Sequence, residues 1–321
     1  MALFILIKKT VAVASVVLLT LIIKAAWAEE APFIIGRFNY SGDGYIRLTG
    51  EKSGVSFEGR YRQDAGLYDE QAYRSLCRVF GAPLDPLRLG LSLRLIEFLD
   101  FLQDRFGSDL GMIVTSGYRT PAYNTHLRNQ GGLAAKASLH QYGMAADLKM
   151  PGVPSRRIWE YVKVLGFGGA GYYHGDTVHI DVGPARFWDE KSSGVGTGIS
   201  DDNKLIGLVT DYDRYRPGDR VLLRFIRMTA FPIGVNPVFE LIPPASMNSE
   251  VKITPFKPSF TIPIKKKCPQ FADIEQLTLI QWQLPKEVTA GHYTIRAGFC
   301  DQTWVAMPAT VSTPEIEVIT P

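Results

Sequence analysis

The chain has 321 residues and a mass of 35.7 kDa, with 46% hydrophobic and 21% charged residues. That length fits about two domains, and the composition excludes a largely disordered chain while leaving enough core that no disulfide scaffold is required. The formal charge of +3 is supplied by Lys8, Lys9 and Lys24, in a stretch of 28 residues without an acid; the rest of the chain is neutral, which argues against a nucleic-acid partner.

Lys8 and Lys9 precede an apolar run of 14 residues over 10–23, short of the about 20 that a spanning helix needs. Ala26-Trp27-Ala28 then places small residues where a signal peptidase reads. Residues 1–28 are expected to be a secretory signal peptide, with an uncleaved anchor or a buried core helix as the alternatives. The mature chain would start near Glu29, in the periplasm or cell envelope, without a stable membrane span. In an oxidising compartment Cys268 and Cys300 could pair, leaving Cys77 over; three buried thiols are the alternative. The absence of any CxxC spacing speaks against a thiolate metal site.

Alternating apolar residues (Tyr45, Ile46, Leu48, then Val55, Phe57) predict strands within 35–62, with a tight turn at Ser41-Gly42-Asp43-Gly44. A short helix is expected over 69–80. A second is expected over 87–106, where Leu91, Leu95, Phe98, Leu99, Leu102 and Phe106 share one face and Gly107 stops the run. A strand over 112–115 and a helix over 121–130, with Pro121 in its first turn, come next. Residues 139–150 read as loop and strand. A helix capped by Ser155 and closed by Gly166 precedes short strands over 171–173 and 178–182. Residues 192–203 have linker composition. Beyond them, strand-like runs at 221–226, 237–242, 260–264, 277–282, 293–297 and 316–319 predict an all-β, immunoglobulin-like sandwich. The expected organisation is residues 1–28 as signal peptide, 29–195 as an α+β domain, 196–203 as linker and 204–321 as the sandwich.

Three of the five histidines fall within 140–179. Two imidazoles and a carboxylate suit zinc and leave a fourth position for water. His140 and Asp147 are separated by small residues, Gly143, Ala145 and Ala146, that let the backbone pass close to an ion. Strand alternation over 178–182 sends His179 and Asp181 to one face and the apolar residues to the other. Spacing alone leaves open that His140 and His179 are buried, hydrogen-bonded and inert.

Ser116-Gly117-Tyr118-Arg119-Thr120-Pro121, then Ser138-x-His140-x6-Asp147, then His179-x-Asp181 resemble the zinc D-alanyl-D-alanine peptidase superfamily, in particular its MepK-like murein endopeptidase branch. Ser41 to Gly44, Tyr123-Asn124, the 168–173 stretch and Gly183-Pro184-Ala185-Arg186-Phe187-Trp188 extend the likeness over about residues 40–190. The resemblance implies an α+β zinc peptidase domain, with helices on a small antiparallel sheet and one Zn2+ held by His140, Asp147 and His179. It implies Arg119 beside the metal, binding a substrate carboxylate or polarising the scissile carbonyl. Asp176 takes the general-base position three residues before the last histidine. Asp181 is the runner-up, as base or as the group that orients a ligand imidazole, and His174 is a candidate donor to the oxyanion.

The implied reaction is hydrolysis of peptidoglycan cross-links or stem peptides by metal-activated water, with no nucleophilic serine or cysteine and so no sensitivity to β-lactams. A D-alanyl-D-alanine carboxypeptidase and a non-catalytic, zinc-stabilised cell-wall-binding module are the alternatives. The C-terminal region would bind a protein or wall partner.

Overall fold

The computed structural model describes residues 36–63, 66–84, 90–107, 109, 111–131, 134–192, 201–244 and 253–320. The expected signal peptide and most of the expected linker lie outside these residues.

Strands β1 (Tyr45–Gly50) and β2 (Ser56–Arg60) form a hairpin that buries Ile46 and Leu48. Helix α1 (Glu70–Phe80) starts where the Asp69 carboxylate accepts the Ala72 N–H, satisfying one of the orphan donors of the first turn. Helix α2 (Leu93–Phe106) buries Leu95, Ile96, Phe98, Leu99 and Leu102 and ends at left-handed Gly107. It begins later than the periodicity predicts. Residues 87–89 of the expected helix lie outside the described residues; Ser92 is extended and its N–H is taken by the Gly143 carbonyl, so residues 90–92 are not helical.

Strand β3 (Met112–Ser116), helix α3 (Pro121–Asn129), a 3-10 turn over Leu139–Tyr142, strand β4 (Ala145–Lys149) and helix α4 (Ser155–Leu165) follow. Ser155 is the first residue of α4 rather than its cap. Its hydroxyl donates to the Gly175 carbonyl and ties the helix to the loop before the last histidine. Strands β5 (Gly169–Tyr172), β6 (Val178–Asp181) and β7 (Arg186–Asp189) complete the region.

These strands make one seven-stranded sheet in the order β2-β1-β3-β4-β6-β5-β7. The sheet is larger than expected and mixed: β1 with β3 and β5 with β7 are parallel. The β1–β3 pair is parallel because the chain between them crosses over through α1 and α2, the connection that parallel strands require.

The C-terminal region is β-rich, as expected. It contains β8 (Gly207–Thr210), β9 (Arg214–Tyr215), β10 (Arg220–Ile226), β11 (Ile233–Gly234), β12 (Phe239–Ile242), β13 (Thr254–Phe256), β14 (Gln270–Phe271), β15 (Ile280–Gln283), β16 (Gly291–Gly298), β17 (Thr310–Ser312) and β18 (Ile316–Val318). A three-stranded sheet runs β15-β10-β8, and a six-stranded one runs β13-β12-β16-β18-β9 with β17 pairing beside β16. The predicted strand over 260–264 is absent. Pro258 and Pro263 remove ladder donors there, and only Ser259 bridges to Gln281, while Phe260, Ile262 and Ile264 pack on the core as loop residues. Cys268 and Cys300 are joined, and Cys77 is a buried free thiol on α1. Among the described residues no helix is long and apolar enough to cross a membrane.

The two regions share contacts that are buried and specific. Arg94 of α2 donates to Asp213 at 3.0 Å and to the Thr210 carbonyl at 2.8 Å, and is 6% exposed. Arg214 donates to the carbonyls of Gly36 and Phe38, anchoring the segment that leads into β1. The buried residues of both regions form one apolar cluster.

Candidate metal centre

His140, Asp147 and His179 come from the 3-10 turn, β4 and β6. Left-handed Gly143 reverses the chain between the turn and β4; a side chain there would strike the Gly90 carbonyl. Asp147 lies directly across from His179 in the antiparallel β4–β6 register. On the far side of β6, Gly171 and Gly169 sit opposite His179 and Asp181. The Trp188 ring covers Gly171 and the Asp181 carboxylate covers Gly169, so neither position has room for a Cβ.

Each imidazole is fixed from behind. His140 Nδ1 lies 2.7 Å from the Gly117 carbonyl, which can only accept, so Nδ1 carries the proton and Nε2 is bare. His179 Nε2 lies 3.1 Å from Asp181 Oδ2, so a neutral ring protonated there presents Nδ1 bare. The two bare nitrogens are 3.3 Å apart, and Asp147 Oδ1 is 3.0 Å from His179 Nδ1 and 3.5 Å from His140 Nε2. Three donors at 2.0–2.1 Å from a tetrahedral zinc would be roughly 3.3 Å from one another. The donor atoms fit such an ion, and the three residues are 2%, 7% and 6% exposed in chain order.

Around this triangle, Arg119 Nη2 donates to Asp147 Oδ2 at 2.7 Å and its Nε donates to Ser116 Oγ at 3.0 Å. The Tyr173 hydroxyl donates to Asp147 Oδ1 at 3.0 Å. Burial lowers the pKa of His140. Burial also opposes charge on His179 and Asp147, but there the neighbours win. Carboxylates at both nitrogens hold His179 up, and the two imidazoles hold Asp147 well below the usual carboxylate range.

Arg119 thus contacts Asp147 and Asp181 contacts His179, both members of the triangle. Asp176 and His174 do not touch the triangle. Asp176 lies 3.4 Å from Lys149 Nζ with its side chain 75% exposed, at the rim of the face that β4 alternation gives Asp147 and Lys149. His174 Nε2 lies 2.7 Å from Asp189 Oδ1 and its ring packs on Tyr172. Tyr173, which the sequence marks only as part of the 168–173 stretch, donates to Asp147, a candidate ligand. No local pattern signals this, because the contact is made across the sheet.

A second group, Asp43, Asp100 and Asp104, brings carboxylates together. There Asp100 Oδ2 already accepts the Tyr61 O–H and the Gly44 N–H, and burial pushes the Asp100 pKa up to about 7.

A family model described as peptidoglycan L,D-endopeptidase MepK (Peptidase_M15_2) matches residues 44–188. Peptidoglycan L,D-endopeptidase MepK of Escherichia coli (strain K12) is 37% identical over 95 residues, 29% of this chain and 52% of that protein. A probable peptidoglycan L,D-endopeptidase MepK of Haemophilus influenzae is 38% identical over 76 residues, 23% of this chain and 41% of that protein. The chain thus spans about half the length of the curated relatives it matches, and the family model's match ends before the C-terminal β-rich region. With the candidate donor triangle inside the matched stretch, residues 44–188 of this chain are similar to the peptidoglycan L,D-endopeptidase MepK family.

Proposed function

We propose that the chain is an exported zinc metallopeptidase that hydrolyses L,D peptide bonds in the cross-links or stem peptides of peptidoglycan. The observation that carries this reading is the triangle of His140 Nε2, His179 Nδ1 and Asp147 Oδ1, with edges of 3.0–3.5 Å and each imidazole proton held by an acceptor outside it. The relatives' L,D specificity favours cross-link cleavage over terminal D-alanine removal.

When bound there, zinc would polarise the scissile carbonyl and acidify water. Arg119 holds Asp147 with Nη2 and Ser116 with Nε, which leaves Nη1 for a substrate carboxylate or the carbonyl oxygen, a planar task that suits a guanidinium. The Tyr173 hydroxyl, donating to Asp147 Oδ1, holds that carboxylate in place beside the two imidazoles. Asp181 orients His179, a task that its full burial suits better than proton exchange with solvent. Asp176, at the exposed rim, takes the proton of the attacking water and passes it to the leaving nitrogen as the C–N bond breaks. The products are a carboxylate and an amine. His174, its Nε2 engaged by Asp189, would leave that contact to donate to the oxyanion.

The β-rich region is read as an immunoglobulin-like sandwich, a reading supported by its three- and six-stranded sheets. The deciding experiment incubates the purified mature chain with cross-linked sacculi, with zinc or a chelator, and identifies products by mass spectrometry. Chelator-sensitive conversion of dimeric to monomeric muropeptides is expected, and stoichiometric zinc with no products would favour the binding-module reading.

A further inference from the structure

The end of β10 and the residues after it reach the back of the metal centre at two places. Tyr142 closes the 3-10 turn that carries His140 and is wholly buried. Its hydroxyl accepts the Met228 N–H at 3.0 Å, and its carbonyl accepts Arg224 Nη1–H at 3.3 Å. The other place is Asp181, which holds the His179 imidazole with Oδ2 and accepts the Gly183 N–H with Oδ1 at 3.0 Å.

Arg227 stands between these two supports. Its backbone is left-handed, with φ of 59°, a conformation that a non-glycine residue keeps only where its surroundings over-determine it. The side chain is 6% exposed, and Nε and Nη2 have no hydrogen-bond partner among the described residues. Burying such a cation is costly unless an opposite charge faces it. The charge that faces it is Asp181. A Cβ built on Gly183 would lie 3.2 Å from Asp181 Oδ1 and 3.3 Å from Arg227 Nη2, so both groups border that glycine. Arg186 Nη2 is 3.8 Å from Asp181 Oδ2, from a side chain that is 39% exposed. Asp181 thus has near it both an exposed guanidinium of the peptidase region and a buried one of the β-rich region.

We propose that Arg227 is a positioning residue of the metal centre: the β-rich region supplies the buried cation that keeps the Asp181 carboxylate aimed at His179, which makes this region part of the site's frame. The inference rests on the metal-centre reading above. It gives residues 204–320 a role that the family model's match, which ends before them, does not supply.

The test uses the full mature chain and reads zinc affinity by competition with a chromophoric chelator, alongside the visible spectrum of the cobalt(II)-loaded protein. Arg227→Met is expected to weaken zinc binding on the order of tenfold, the low end for groups that orient ligands, and to shift the cobalt bands. Arg227→Lys restores most of both. In an Asp181→Asn background, Arg227→Met weakens binding no further, because its route to the metal is already cut. Should Arg227→Met fail to fold, Arg227→Gln carries the same comparison. Unchanged affinity and spectrum with a lowered melting temperature would overturn the inference, as would multiplicative effects in the double variant. Failure of the unaltered chain to bind zinc would instead sink the metal-centre reading, and this inference with it.

Discussion

His179 Nε2 lies 3.1 Å from Asp181 Oδ2, two residues along the same strand, and this contact decides which imidazole nitrogen faces Asp147. Asp181→Ala should therefore free the ring to change tautomer. Zinc affinity is expected to fall between about 10- and 100-fold, as measured by chelator competition. An unchanged affinity would show that strand geometry alone orients the ring.

Asp176 and the ligands separate turnover from metal binding. Asp176→Asn should keep one zinc per chain and lose about 10²- to 10⁴-fold in turnover of muropeptides, the usual worth of a general base. His140→Ala should lose both. Wild-type turnover by Asp176→Asn would move the base elsewhere on the site.

Metal removal should be visible as stability. Zinc at 100 times its dissociation constant adds about 2.7 kcal/mol to a chain whose unfolded state does not bind it. Calorimetry should show a melting point that chelator lowers and added zinc restores. A chain indifferent to both would lack the metal centre.

Asp100 should give the fold a pH dependence. It is fully buried on α2, with Asp43 and Asp104 nearby, and burial pushes its pKa up to about 7. The folded chain keeps a proton there that the unfolded chain has released above about pH 4. The stabilisation is complete below that value and is lost as pH rises through about 7. Asp100→Asn does not titrate, so its melting temperature should gain on the wild type between about pH 5 and pH 8. A constant difference across that range would contradict the assignment.

The Cys268–Cys300 bond closes a loop with a sequence separation of 32. Loop entropy puts its contribution at about 3–4 kcal/mol. Reduction, or Cys268→Ser with Cys300→Ser, should lower the melting temperature of the β-rich region, and an unchanged unfolding profile would mean that core packing alone holds those strands.

Local chemistry made much of the molecule readable in advance. Gly107 and Gly166 end helices as read from the sequence, because caps act within a turn of the residues that need them. The alternation over Val178–Asp181 put His179 and Asp181 on one face because the strand period is two. The three candidate donors could be picked out by residue type: small residues separate His140 from Asp147, and strand alternation singles out His179. Longer-range relations were not legible. The parallel pairing of β1 with β3, the register that sets Asp147 against His179, and the contacts of Tyr173 with Asp147 and of Met228 with Tyr142 join residues far apart in the chain. So does the place of Asp176, at Lys149 on the rim rather than among the ligands. The sequence by itself determined which side chains can ligate a metal, because donor type and local spacing are covalent facts. Only the tertiary structure decided which atoms converge and which residues stand behind them, because sheet order and register are set by packing across the whole core.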